Sequence, residues 1–289
     1  MRADFRRLAL TVGPGALWLA LFVVLPALII LAYSFMTRTD IGSVAPPVTT
    51  ENYARFLGFD VLGYDPLYLQ ILWRSVVLAA VTTLLCILIG YPLAFYIAVQ
   101  PARRKNLLLL LLIVPFWTNF LIRTYAWIVI LGREGALNTA LAHVGLPTLD
   151  LYPGPVAVYL GMLYGFLPFL VLPVYASVEK IDWSLVEAAA DLGAPPRRAF
   201  REAVLPQTLP GLVAGVILTF IPALGTFVTP DLLGGARDAL IGNVVQQQFG
   251  QSRDWPFGSA VSFLLMALVL AGLWVYARVA GRRGLEALA

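Results

Sequence analysis

The 289 residues are 60% hydrophobic and only 12% charged, with a mean hydropathy of +0.83. A soluble domain carries roughly 25% charged residues, so a water-soluble globule is excluded. The net charge of +4 comes from scattered basic residues, which excludes a nucleic-acid-binding protein. The chain reads as a polytopic membrane protein. Its apolar runs are continuous rather than alternating, so the spans are helices and not the strands of a barrel.

The chain opens on MRADFRR and a long apolar stretch, too long for the core of a cleaved signal peptide. This is an uncleaved first span over about 10–36. A span needs on the order of 20 apolar residues, and five more fit the sequence, over about 71–99, 107–131, 154–177, 208–230 and 259–280. Cys86 lies inside the second run and has no partner for a disulfide, so it reads as a small packing residue. His143 is the single histidine, too few for a metal site, and no cofactor is expected.

Basic residues fix the orientation. Arg2, Arg6 and Arg7, Arg103 to Lys105, Lys180, Arg197, Arg198 and Arg201, and Arg278, Arg282 and Arg283 cluster beside span ends on one side. Arg38, Arg55, Arg74, Arg123, Arg133, Arg237 and Arg253 are solitary. Both termini are therefore expected in the cytoplasm. The outer segments are 37–70, 132–153 and 231–258. Within them 137–144 and 241–249 carry apolar residues at helical spacing, as short amphipathic helices. Such helices can cap the bundle or dock an external partner; periodicity shows a buried face but not what buries it.

One inner segment is long and polar: 178–207, which contains EAAADLGAPPRRAF. Asp182 is placed to cap a helix through WSLVEAAADL. Gly193 suits the left-handed residue that ends it. Pro195 and Pro196 suit the first turn of a second short, basic helix, after which Leu205-Pro206 returns the chain to the membrane. Two short helices joined rigidly to two spans suit the transmission of movement from a cytoplasmic partner.

These residues carry a resemblance. Glu187-Ala188-Ala189, then Gly193, then Leu205-Pro206, at this spacing, is similar to the cytoplasmic signature of permease subunits of binding-protein-dependent ABC importers. Ala203 stands where that family usually has isoleucine. The resemblance implies an all-α membrane protein of six transmembrane helices with the type I ABC importer permease fold. It implies one permease domain over 1–289, its family core over 70–280, and 178–207 as the loop that fits an ATPase subunit, with Glu187, Ala188, Ala189 and Gly193 in contact. FLIRTYAWIVILGREGALN (120–138) and TPDLLGGARDALIGNVVQQQFGQSRDWPFGSAV (229–261) narrow the resemblance to spermidine/putrescine permeases. That family implies a heterodimer of two permeases, an ABC ATPase and a periplasmic solute-binding protein, in the bacterial inner membrane. Relatives that carry opines, phosphonates or other organic ions leave the substrate open.

The chain has no G-x-x-x-x-G-K-[ST] phosphate loop, since its only lysines are Lys105 and Lys180. It must draw energy from another subunit, and it carries no catalytic set. A non-transporting scaffold and an ion-driven secondary transporter are the alternatives from other classes. A polyamine calls for carboxylates and aromatic faces. The path candidates are Asp231, Trp117, Tyr125 and Trp127, although Asp231 equally suits a water-exposed boundary and aromatics gather at membrane interfaces in any case. Arg123 sits in an apolar helix, where a charge is costly unless paired. It is expected as a structural charge bound to a carboxylate or backbone carbonyls. Facing the cavity, it would favour an anionic substrate instead.

Overall fold

The computed structural model describes residues 12–39, 42–60, 63–235 and 239–286; Arg2, Arg6, Arg7 and Arg237 of the orientation argument lie outside them. In chain order the helices are α1 (Val12–Ser34), α2 (Glu51–Phe56), α3 (Leu67–Ala98), α4 (Ala102–Ile113), α5 (Phe120–Leu131) and α6 (Ala136–His143). They continue as α7 (Pro155–Val178), α8 (Trp183–Asp191), α9 (Pro196–Gly225), α10 (Val228–Gly234), α11 (Ile241–Phe249) and α12 (Trp255–Glu286). Two antiparallel two-stranded ribbons, β1 (Thr37–Arg38) with β2 (Val44–Ala45) and β3 (Phe59–Asp60) with β4 (Gly63–Tyr64), flank α2 in the chain.

Five of these helices, α1, α3, α7, α9 and α12, have the length and composition to cross a membrane. The third expected span, over about 107–131, differs. Ala102–Trp117 and Phe120–His143 pass the same test only as a pair, bent by 99°. The apolar run is interrupted by PFWTNF: Pro115 tightens 114–117 into a 3-10 turn, and Thr118 leaves the helix with ψ 150. Asn119 then starts α5 afresh, its side chain accepting a hydrogen bond from the Leu121 amide at 2.8 Å.

The chain forms two compact units, Met1–Gln70 with Asn243–Ala289, and Ile71–Gly242. In the first unit α12 packs on α1 and α2. The loop after α1 is fixed by polar contacts: Asn52 Nδ2 donates to the Ser34 and Met36 carbonyls at 3.0 and 2.9 Å, and Ser34 Oγ meets Tyr53 OH at 2.7 Å. Arg55 pairs with Asp254 at 2.9 Å and lies over the Phe257 ring at 4.2 Å, while Asp254 is almost fully buried.

The second unit is built on α3, α7 and α9. Cys86, Ala94 and Ile97 of α3 meet Leu170, Val171, Val174 and Val178 of α7 in a core that also takes in Ile181 and Val204. Cys86 is fully buried there. The α7–α9 seam depends on absent side chains. A Cβ on Gly211 would overlap Ser177 Oγ and the Pro173 carbonyl, and one on Gly215 would come within 3.0 Å of the Leu170 carbonyl oxygen. Gly211 and Gly215 form a small-xxx-small pair, which lets membrane helices approach to backbone contact. Tyr91 OH and Thr208 Oγ1, 2.7 Å apart, tie α3 to α9.

Asn138 of α6 holds the segment beyond α5: its Nδ2 donates to the Gly132 and Leu149 carbonyls at 3.1 and 3.0 Å, and its Oδ1 accepts from the Leu149 amide at 2.8 Å. Both short amphipathic segments are helical, as α6 and α11. In α6 Leu137 and Leu141 are half-buried while Val144 is exposed, and the fully covered residue is Asn138, which the apolar spacing did not single out.

Candidate functional site

The polar insert folds as two arms about one tight turn. Asp182 Oδ1 accepts from the Ser184 amide at 3.0 Å, capping α8, and from Ser184 Oγ at 2.7 Å. At the other end Gly193 has φ +79. The Gly193 amide donates to the Ala190 carbonyl at 2.8 Å and the Ala194 amide to the Ala189 carbonyl at 3.0 Å. This pair of bonds is the Schellman closure, which needs a left-handed residue that only glycine adopts without cost.

The second arm differs from expectation. Pro196–Gly225 is one helix of 30 residues, so the basic segment after the turn is the beginning of the membrane helix and not a separate element. Pro206 does not end it. A proline lacks the amide for a bond four residues back, and its ring crowds that carbonyl. The backbone opens into a π turn over Phe200–Val204, with the Leu205 amide bonding to the Phe200 carbonyl. The same device precedes Pro26 in α1, where Ala20–Val24 is a π turn.

The insert is held at its base. The Asp182 amide donates to Gln207 Oε1 at 2.9 Å, Ile181 and Val204 enter the α3–α7 core, and Lys105 Nζ binds Glu179 Oε1 at 2.9 Å. The Lys105 ammonium, then the Tyr175 hydroxyl, hold the Glu179 carboxyl below its ordinary range. Its outer surface is open. Glu187, Ala188 and Gly193 are exposed and Ala189 half-buried, beside exposed Trp183, Leu185, Leu192 and Phe200. Leu192 is 89% exposed at the tip, an apolar side chain with no cover from its own chain.

The path candidates fall in the second unit. Trp117 closes the 3-10 turn and is 78% exposed; Tyr125 is exposed on α5. Trp127 is half-buried, its ring edge-on to Tyr164 of α7 at 5.6 Å. Asp231 is half-buried in the first turn of α10, because the preceding helix ends at Gly225, earlier than the 230 expected. α5 packs against α10, so the aromatic helix and the Asp231 helix are neighbours. A cavity of about 600 Å³ opens beside α10, between α3 and α7, lined by Trp73, Arg74, Tyr159, Pro155 and Pro230 among others. Trp117, Tyr125 and Trp127 do not line it. Trp73 and Tyr159 were not singled out from sequence, because aromatics near span ends are common.

Arg123 corrects one expectation. Among the described residues neither a carboxylate nor a carbonyl receives its Nε or Nη1, both of which are buried without a hydrogen-bond partner. Its guanidinium instead lies over the Phe116 ring at 4.6 Å and near Phe120 at 6.0 Å.

The fold and the insert together define an importer permease, and the comparisons agree. Residues 87–284 match the family of binding-protein-dependent transport system inner membrane components. The chain belongs to that family and is a multi-pass protein of the inner membrane, a transporter subunit rather than an enzyme. Among relatives, the spermidine/putrescine transport system permease protein PotB of Haemophilus influenzae is 44% identical over 263 residues, covering 90% of each chain. PotB of Escherichia coli K12 is 44% identical over 271 residues, covering 92% of this chain and 96% of that protein. A solved bacterial ABC transporter that imports the acidic polysaccharide alginate superposes with a TM-score of 0.75 over 97% of this chain and 98% of its own, at 16% identity. That identity carries the fold alone.

Proposed function

We propose that this chain passes spermidine and putrescine into the cytoplasm, as one of two permeases served by an ATPase subunit and a periplasmic binding protein. The observation that carries the reading is the 44% identity to PotB over nine-tenths of both chains. With 178–207 on the cytoplasmic side and both termini there too, the rest follows mechanically. The loaded binding protein docks on the outer segments. Closure of the ATPase pair pushes on α8 through Glu187, Ala188, Ala189 and the Gly193 turn. The continuous α9 carries that displacement into the membrane, where the seam with α7 transmits it. The exposed apolar side chains of the turn, Leu192 above all, suit a cleft in a protein partner better than water. ATP is hydrolysed on the separate subunit, since this chain carries no phosphate loop. Asp231, with Tyr125 and Trp127 on the adjacent helix, supplies the carboxylate and ring faces that a polyamine prefers.

The test is uptake of labelled putrescine and spermidine by the reconstituted complex, with and without ATP, beside an anionic phosphonate. ATP-dependent polyamine uptake that falls in Asp231→Asn supports the reading. Uptake of the anion alone overturns the substrate and keeps the importer.

A further inference from the structure

Two spans of the first unit end beside one another. Trp255 opens α12, and Tyr33 lies one residue before the end of α1, their rings 6.4 Å apart. Phe249 stands edge-on to Trp255 at 5.8 Å. These three rings, with Gly42, Val44 and Arg253, line a cavity of about 450 Å³. Its depth follows from helix length. The spanning part of α12, Trp255–Arg278, has 24 residues and α1 has 23, which makes them about 36 and 34 Å long at roughly 1.5 Å per residue. A hydrocarbon core is roughly 30 Å thick, so each end stands about 2–3 Å outside it. That is the level of lipid glycerols and phosphates, where amphipathic rings gather. In the orientation proposed above it belongs to the periplasmic leaflet.

Arg253 is set beside this cavity by its backbone. Its φ is +51, and among the described residues no other side chain but glycine is left-handed. Only glycine adopts that conformation without cost. The turn is fixed from both sides. The Ser252 amide donates to the Gln247 carbonyl and the Asp254 amide to the Gln248 carbonyl, each at 2.9 Å, and Asp254 is paired with Arg55. The stem of Arg253 passes across Gly42, where an added Cβ would stand 3.0 Å from the Arg253 Cβ. Among the described residues no carboxylate pairs with the exposed guanidinium. The positive charge at the rim also rejects a polyamine, so the three rings are not a cage for the cargo.

We propose that this cavity is a phospholipid site: the Arg253 guanidinium donates N–H bonds to the phosphodiester, and the rings of Tyr33, Phe249 and Trp255 hold the glycerol and the upper acyl chain. A guanidinium matches a phosphate with two parallel N–H bonds, and depth brings that group to the cavity mouth in any bilayer. The site is independent of which solute the complex carries; only the choice of leaflet rests on the orientation above.

The experiment uses the whole complex in vesicles of phosphatidylethanolamine and phosphatidylglycerol. A photo-crosslinking p-benzoylphenylalanine takes the place of Ser43, which is exposed at the rim of the cavity. Adducts on this chain are then read by mass spectrometry. A phospholipid adduct is expected. Arg253→Gly keeps the turn and relaxes it, so the fold is not at risk. It should cut the adduct about fivefold, the effect of roughly 1 kcal/mol for one basic residue at a lipid surface. Arg253→Lys should retain most of the yield. Gly42→Ala, which pushes the Arg253 stem aside without changing any charge, should lower it as well. A lipid adduct of equal yield in wild type and Arg253→Gly overturns the proposal, because it reports ordinary bilayer contact. So does an adduct to the second permease or the binding protein in place of lipid, which would make this a protein face. Loss of the adduct on adding inorganic phosphate overturns it too, since the ligand would then be a soluble anion.

Discussion

The turn at Gly193 allows backbone strain to be separated from surface contact. Its φ is +79, and a Cβ added there would meet no atom of the chain within 4 Å. A side chain has room, so its whole intramolecular cost is the left-handed backbone, about 1–2 kcal/mol for an ordinary residue and least for asparagine. That sum leaves the membrane core intact but depopulates the closed turn about 5–30-fold. In the reconstituted complex, uptake per ATP hydrolysed should fall in the order Gly, Asn, Ala, Val at position 193, with hydrolysis persisting in all four. Uptake at the wild-type rate in Gly193→Val would refute the role of the turn in coupling. Asparagine as damaging as valine would refute the backbone argument and point to crowding against the partner, since Asn and Val both add a side chain but differ in strain.

Three further outcomes are expected. Gly211→Leu should destabilise the second unit by about 1–3 kcal/mol, the usual cost of overpacking, read as a lower thermal midpoint in nanodiscs; an unchanged midpoint means the α7–α9 seam is looser than described. Arg55→Met leaves buried Asp254 without its charge partner, and Arg55→Met with Asp254→Asn should recover part of the loss in a double-mutant cycle; simple additivity would show that the two do not interact. The Glu179 carboxyl is held below its ordinary range by Lys105, so its contribution is complete above the ordinary glutamate value of about 4.3 and is lost as pH falls through the lower folded value. The protection factor of the Lys105 amide, which donates to the Pro101 carbonyl at 2.9 Å, should therefore fall only in acid, and Glu179→Gln should abolish that fall; equal pH profiles in both forms would remove Glu179 from the account.

Much of this was legible in the sequence where one residue decides a local geometry. Asp182 could only cap and Gly193 could only turn, because the competing elements on either side are strong helix formers. The break between α4 and α5 was harder to see. Pro115 reads as a kink, but Thr118-Asn119 inside an apolar run is a fresh cap, and that polar pair was the available signal. The Gly211–Gly215 seam was also visible as spacing, without the partner backbone that gives it meaning. Arg123 was recognised as a costly charge, yet its stacking on Phe116 depends on the bend and has no local signature. Asn138 escaped because a search for apolar periodicity passes over a polar residue that is buried by its own hydrogen bonds.

The π turn at Phe200–Val204 has a consequence for lineage as well as mechanics. It holds one residue more than an α turn would, so losing a residue there would restore ordinary winding without breaking α9. The helix would stay whole and everything before it, α8 and the Gly193 turn included, would keep its direction, whereas losing a residue from an ordinary α turn of α9 would swing that arm by about 100° around the helix axis. A single-residue gap at this point in a relative would thus leave the arm proposed to meet the ATPase aimed as it is here, while the same gap a turn further along α9 would re-aim it. The π turn between Ala199 and Leu205 is where this helix can lose a residue without changing the phase between its two ends.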